Sequence, residues 1–264
     1  MVNKDAILKK ISGIEDKLLV SKGLDKALRA DKSKEVSFTD FLDPHQRSIL
    51  EKAFSGYDEI DCNFYGGYDD AERVVAFFYP DFMYGDEEQY FDYPFKILNI
   101  APNSRDSLTH RDYLGALMGL GIKREKIGDI LVRDDSCNII VFDDIADYIK
   151  FNLNKVGSSK VEIDLKDIDE LEVPDPKTKT INTTVASLRL DCVSSAGFGV
   201  SRSKIVDYIK AEKVSLNWEV ISSLTRLVQE GDTISMRGKG RVVLEQVGKT
   251  TKKGRISVVM KKLI

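Results

Sequence analysis

The residues with the clearest chemical potential in this 264-residue chain are basic ones near its C-terminus. Ser201-Arg202-Ser203-Lys204 and Arg237-Gly238-Lys239-Gly240-Arg241 join guanidinium and ammonium groups to hydroxyls, and to glycines that let a backbone approach a ligand closely. Such groups suit phosphate oxygens. They do not make a Walker loop, because no Gly-Lys-Ser or Gly-Lys-Thr follows. Redox and metal chemistry have less to work with. Cys62, Cys137 and Cys192 lie far apart and form no CxxC pair, as expected of a chain kept in a reducing cytoplasm. His45 and His110 are too few for a multi-histidine centre. The expectation is a protein with no metal, no cofactor and no disulfide.

Charge sharpens the contrast. The formal net charge of −3 hides +8 on residues 185–264, with 15 Lys and Arg against 7 Asp and Glu, and −11 on residues 1–184. Within the acidic part, Tyr57 to Asp92 holds eleven carboxylates and one base, Arg73. This asymmetry points to a nucleic-acid-binding domain attached to something with another task, and the acidic 57–92 segment is a candidate surface for a protein partner. No stretch approaches the roughly 18 apolar residues of a membrane span, and the polar start Met1-Val2-Asn3-Lys4-Asp5 shows no secretory signal, so no membrane partner is expected.

Several elements must position these groups. Ile7, Leu8, Ile11, Leu18, Leu19, Leu24 and Leu28 recur at helical spacings, and Asp43-Pro44 opens a further helix through Phe54. Residues 1–69 therefore read as a helical region. Residues 70–165 change character: strand Arg73–Tyr79, strand Phe95–Ile100, helix Thr109–Leu120, strands Ile130–Arg133 and Asn138–Phe142 around the turn Asp134-Asp135-Ser136, helix Asp143–Leu153 and strand Val161–Leu165. From Phe95 the order is β-α-β-β-α-β, the split arrangement of a ferredoxin-like, RRM-like domain in an α+β chain. RNA recognition domains carry stacking aromatics on their central strands, whereas Phe95-Lys96-Ile97-Leu98 and Asn138-Ile139-Ile140-Val141 show no clear stacking pair. Residues 166–186, with Pro174-Asp175-Pro176, read as a linker or extended arm, and 187–264 as two short helices with a small antiparallel sheet.

In that last region Leu188-Arg189-Leu190-Asp191, Gly197, Ser201-Arg202-Ser203-Lys204-Ile205, Val214-Ser215-Leu216-Asn217, Gly231-Asp232-Thr233-Ile234 and Arg237–Arg241 follow one another in order. The series resembles the S4, or alpha-L, RNA-binding domain over about 60 residues. The resemblance implies contact with structured RNA through Arg189, Ser201, Arg202, Lys204, Asn217, Arg237, Lys239 and Arg241, with Lys213 beside them. Two departures stand out: Trp218 follows Asn217 where Gly is common, and Ser194 replaces a common leucine. Arg189-Leu190-Asp191 also looks like the catalytic motif of pseudouridine synthases, but no synthase domain surrounds it. His110-Arg111-Asp112 looks like a kinase catalytic loop, but Leu117 stands where that loop needs Asn. Thr109-x-x-Asp112 fits a helix cap better, with Leu114, Leu117 and Met118 as the buried face.

The run from Thr109-His110-Arg111-Asp112-Tyr113 through Gly119-Leu120-Gly121-Ile122-Lys123-Arg124-Glu125-Lys126 to Ile127-Gly128-Asp129-Ile130, together with the alpha-L series, resembles the YlmH family of bacterial proteins across nearly the whole chain. That resemblance implies a cytosolic, non-enzymatic RNA-binding protein from among the cell-division genes of Gram-positive bacteria. It further implies association with the large ribosomal subunit, on ribosomal RNA or tRNA, in rescue or quality control of stalled translation. Arg111, Lys123, Arg124 and Lys126 form a possible second RNA patch. Two alternatives stay open: a protein-interaction factor in cell division, and an RNA-modifying enzyme targeted by its S4 domain.

Overall fold

The computed structural model describes residues 4–57, 60, 62–80, 83, 91–103, 108–174 and 178–263, in two compact units that divide after Pro174. The first unit opens with α1 (Lys4–Lys9), α2 (Ile14–Ser33), β1 (Ser37–Phe38) and α3 (Pro44–Phe54). At the start of α3, the Gln46 amide donates to Asp43 Oδ1 and the Asp43 amide donates to Gln46 Oε1, both at 2.9 Å, with Pro44 in the first turn. Ile7, Val20, Leu24, Leu50 and Phe54 bury one shared face. Leu18 and Leu28, expected on the same stripe, are exposed.

Strands β2 (Cys62–Tyr65) and β3 (Val75–Phe78) complete an antiparallel sheet in the order β1-β3-β2. The strand expected at Arg73–Tyr79 with the central domain thus pairs instead with N-terminal elements, Phe77 lying opposite both Phe38 and Asn63. Its apolar pattern fixes a buried strand without naming the partner, because β1 and β2 are too short to announce themselves. The region expected as helical, 1–69, therefore also contains two strands.

The central elements are β4 (Phe95–Pro102), α4 (His110–Gly119), β5 (Ile127–Val132), β6 (Cys137–Phe142), α5 (Asp143–Asn152), β7 (Lys155–Val156) and β8 (Ser159–Lys166). Their antiparallel order β5-β6-β4-β8-β7 is the expected ferredoxin-like arrangement with the short β7 added at one edge. Thr109 and Asp112 cap α4, the Thr109 hydroxyl and amide donating to Asp112 Oδ2 at 2.7 and 2.8 Å, which holds that carboxyl below the usual carboxylate range. Tyr113 and Leu117 form its buried face, whereas Met118, expected there, is 46% exposed.

Alternation along β4 and β6 sends Leu98, Ile100, Ile139 and Val141 toward the helices and Phe95, Ile140 and Phe142 to the opposite face. That second face is the one RNA recognition domains use for base stacking. Here it is covered from within the unit. Phe41 lies 5.2 Å from the Phe95 ring centroid and 4.9 Å from that of Phe142, and Phe38 stacks on Phe142 at 5.8 Å. Phe95 and Phe142 are a cross-strand aromatic pair, but both are buried.

The second unit comprises β9 (Thr178–Val185), α6 (Leu190–Phe198), α7 (Arg202–Lys210), β10 (Val214–Leu216), β11 (Glu219–Val220), β12 (Thr233–Met236), β13 (Gly240–Thr250) and β14 (Ile256–Leu263). The sheet runs β11-β10-β12-β13-β14-β9, antiparallel throughout. Part of the segment expected as a linker or extended arm, 166–186, is therefore sheet: β9 pairs along its length with β14, and its threonines suit a strand. Helix α6 lies close on the sheet at Gly197, where a Cβ would stand 2.9 Å from Val242 Cγ1. Ser194 on the same helix is wholly buried, and its hydroxyl has no hydrogen-bond partner. Ser194→Ala should therefore stabilise the unit by about 1 kcal/mol, since an unmet buried hydroxyl costs roughly that much. The urea midpoint read through the fluorescence of Trp218, the single tryptophan, measures it; an unchanged or lower midpoint would contradict the assignment. Among the described residues, no helix is long and apolar enough to cross a membrane.

Candidate nucleic-acid interface

The residues expected to contact RNA in the second unit fall into two groups. The first is organised by Asp191, in the first turn of α6 and only 1% exposed. Its Oδ2 accepts from Arg202 Nε at 2.6 Å, and Arg202 Nη2 lies equally close. Arg189 Nε approaches Oδ1 at 3.4 Å, an ion-pair contact rather than a hydrogen bond. One buried carboxylate thus holds two arginines from the starts of two helices. Arg189 is the residue before α6 and is fixed further by a bridge to Leu227, while Arg202 opens α7. The hydrogen bond from Arg202 to Asp191 holds its guanidinium above the usual range. Asp191 accordingly holds the two arginines at the helix starts.

Ser201 precedes α7 but makes no side-chain cap; its Oγ lies 3.2 Å from Ser203 Oγ. Lys204 is exposed, because the inward positions of α7 are Ile205 and Ile209. Every basic side chain of this helix face is therefore turned to solvent or to Asp191.

The second group surrounds a cleft of about 370 Å³ beside the β12–β13 hairpin, lined by Lys213, Ser215, Ser235, Arg237 and Arg241, with Glu212 on its wall. The Arg237 amide donates to the Lys213 carbonyl at 2.9 Å, which ties the hairpin to the α7–β10 turn. Gly238 and Gly240 take φ of 81° and 87°, left-handed values that keep the turn tight and leave Lys239 exposed between them. Ser235 Oγ is buried without a hydrogen-bond partner at this cleft. Sequence reasoning missed it, since a serine in a strand carries no signal by itself.

The Asn217 side chain is held within the fold. Its Nδ2 donates to Asp232 Oδ1 and its Oδ1 accepts from the Thr233 amide, both at 2.8 Å, so both polar ends serve the fold. Asn217 and Trp218 adopt φ of 49° and 66°, the two left-handed residues of a tight β10–β11 hairpin. The turn that favours Gly is therefore kept with Trp in its place, anchored by the Asn217 side chain.

The possible second patch is not assembled as one surface. Arg111 and Lys123 are exposed. Arg124 is turned inward, its Nη1 donating to the Ile127 carbonyl at 2.6 Å and the Gly128 carbonyl at 3.2 Å, and burial pushes its pKa down to about 10. Lys126 pairs with Asp40 at 2.7 Å and sits 5.0 Å above the Phe142 ring. One third of the acidic 57–92 segment, residues 58–59, 61, 81–82 and 84–90, lies outside the described residues.

Three family models match the chain: "YlmH, N-terminal" over residues 15–81, "Putative RNA-binding domain in YlmH" over 89–170, and "S4 domain" over 188–234. The Bacillus subtilis (strain 168) "Ribosome-associated protein quality control protein P2" is 35% identical over 228 residues, covering 86% of this chain and 87% of that protein. The solved "Cell division protein ylmH from Streptococcus pneumoniae" covers 62% of this chain and 98% of its own, at 22% identity and a TM-score of 0.51, and supports the fold. With its N-terminal, central and S4 segments all matched in order, and a full-length relative above one-third identity, the chain belongs to the YlmH family.

Proposed function

We propose that this protein is a non-enzymatic RNA-binding factor that docks on structured RNA of the large ribosomal subunit, ribosomal RNA or tRNA, in the rescue or quality control of stalled translation. The observation that carries the reading is the Arg189–Asp191–Arg202 cluster. It presents two oriented guanidiniums at neighbouring helix starts within residues 185–264, a stretch of net charge +8. Planar guanidiniums held by a buried carboxylate lose little freedom on meeting a phosphate, which suits recognition of RNA shape rather than of bases. The Lys213, Arg237 and Arg241 cleft offers a second phosphate position. The name of the Bacillus subtilis relative supports placing that RNA on the ribosome.

Charge reversal at Arg202 would set a carboxylate against buried Asp191, so the test uses exposed positions instead. Lys204→Glu combined with Arg237→Glu should abolish co-sedimentation with large ribosomal subunits while leaving Trp218 fluorescence unchanged. Each lost phosphate contact should also flatten the log–log salt dependence of binding by roughly 0.7–0.9. Undiminished co-sedimentation would overturn the reading. A change in the nucleoside composition of ribosomal RNA after incubation with the protein would replace it with an RNA-modifying one.

A further inference from the structure

The first unit contains a cavity of about 330 Å³ between α2, the segment joining β1 to α3, and the residues just before β5. Its lining includes two arginines, Arg73 and Arg124, and two lysines from α2, Lys22 and Lys26. Arg73 is 9% exposed. Its Nε donates to the Ile127 carbonyl at 2.8 Å, and its Nη2 to the carbonyls of Phe41 at 3.0 Å and Arg124 at 3.3 Å. Arg124 likewise donates to carbonyl oxygens, those of Ile127 and Gly128. Among the described residues, neither guanidinium forms an ion pair with a carboxylate.

One buried and one half-buried guanidinium, both satisfied by neutral oxygens, are an unusual arrangement. Buried charges are ordinarily paired, and taking them out of water is costly otherwise. Burial lowers the pKa of both groups, and the Arg73 charge lowers that of Arg124 further. Three carboxylates, Asp40, Asp43 and Glu125, also line the cavity, leaving its four bases in excess by one, and these and Asp129 have other tasks. Asp129 accepts from the Tyr68 hydroxyl and from the amides of Glu72 and Arg73. Asp43 caps α3, Asp40 pairs with Lys126, and Glu125 faces Lys123 at 3.9 Å. They moderate the field without closing an ion pair on either arginine. The 11-residue helix α3 also begins at this cavity, with Asp43 and Gln46 on its lining.

We propose that this cavity is a binding site for a phosphate monoester, the dianion that two guanidiniums and two lysines would neutralise. Arg73 and Arg124 form its floor, and Lys22 and Lys26 form its rim. The volume lies within the range of small-ligand pockets and exceeds what a phosphate alone fills. Leu19, Phe41 and Leu42 offer apolar wall for the body of a nucleotide. Two sources present this group, a free mononucleotide and the 5′ end of an RNA, and both use the same contacts. The site belongs to the first unit and is independent of the S4-type interface.

Isothermal titration of the full-length protein with inorganic phosphate, AMP, and a short RNA with either a 5′-phosphate or a 5′-hydroxyl provides the test. Binding of AMP, or a preference for the 5′-phosphorylated RNA over its 5′-hydroxyl form, is expected and identifies the source. Affinity should fall about ten-fold or more in Arg124→Gln, and also in Lys22→Glu combined with Lys26→Glu, where the changes lie at the rim and the fold is retained. Binding of none of the phosphate probes, or binding unchanged in the rim variant, would overturn the proposal.

Discussion

Gly66→Ala is expected to destabilise the first unit by about 3 kcal/mol while leaving the second unit untouched. A Cβ at this position would overlap the Arg73 carbonyl oxygen and come within 2.6 Å of Ala71 Cβ. Backbone cannot swing aside as a side-chain tip can. Arg73 is also fixed on every side: its amide donates to Asp129 Oδ1 at 3.1 Å, and its guanidinium to carbonyls of Ile127 and Phe41. Asp129 in turn receives the Tyr68 hydroxyl and the Glu72 amide, each at 2.7 Å. Three donors on one buried carboxylate leave this junction between the N-terminal sheet and β5 little slack. Displacing the Arg73 segment would break several of these bonds together. All tyrosines except Tyr208 lie in the first unit and Trp218 lies in the second, so one urea titration resolves the two. The tyrosine near-ultraviolet transition should move to lower urea while the tryptophan transition stays in place. An unmoved tyrosine transition would show that the turn can relax around a methyl group.

What could be read from the sequence follows from how local each signal is. The β-α-β-β-α-β series was legible because alternation, the Asp134-Asp135-Ser136 turn and the Thr109 and Asp43 caps are each contained in a few neighbouring residues. The partner of the Arg73–Tyr79 strand was not, since it rests on strands of two and four residues. Nor was β9, whose pairing with β14 spans more than seventy residues. The covered sheet face escaped for the same reason: Phe41 and Phe38 reach Phe95 and Phe142 from far along the chain. At the interface, the S4-type pieces were visible one by one, but the sharing of Asp191 by Arg189 and Arg202 joins two helices and appears only in three dimensions. Lys123, Arg124 and Lys126 read as one possible patch, whereas Arg124 turns back onto the Ile127 carbonyl and Lys126, 36% exposed, is held by Asp40. One clue went unused: Arg73 is the single base among eleven carboxylates from Tyr57 to Asp92, and it is the one that the fold buries.

Asp191→Asn separates oriented recognition from simple charge attraction, because the two ideas predict opposite signs. If the basic unit merely collects phosphates, removing a buried negative charge makes it more positive, and affinity for every RNA should hold or rise. If Asp191 works by holding Arg189 and Arg202 at fixed positions, the amide cannot replace it. Asn offers one acceptor where the carboxylate offers two, and its amino group would face guanidinium donors. Both arginines would then regain rotamer freedom, and the entropy of fixing them again would fall on the binding step. Affinity for folded ribosomal RNA or tRNA is therefore expected to drop about ten-fold, while an unstructured RNA of the same length binds as well as before or better. Filter binding of both RNAs across a salt series reads the split, with Ser194→Ala as the control for a buried change in the same helix. Equal losses on both RNAs would reduce Asp191 to a fold-stabilising residue. A gain on both would leave the interface as charge without geometry. The expected divergence places the specificity of the interface in the two guanidiniums that one buried carboxylate aims.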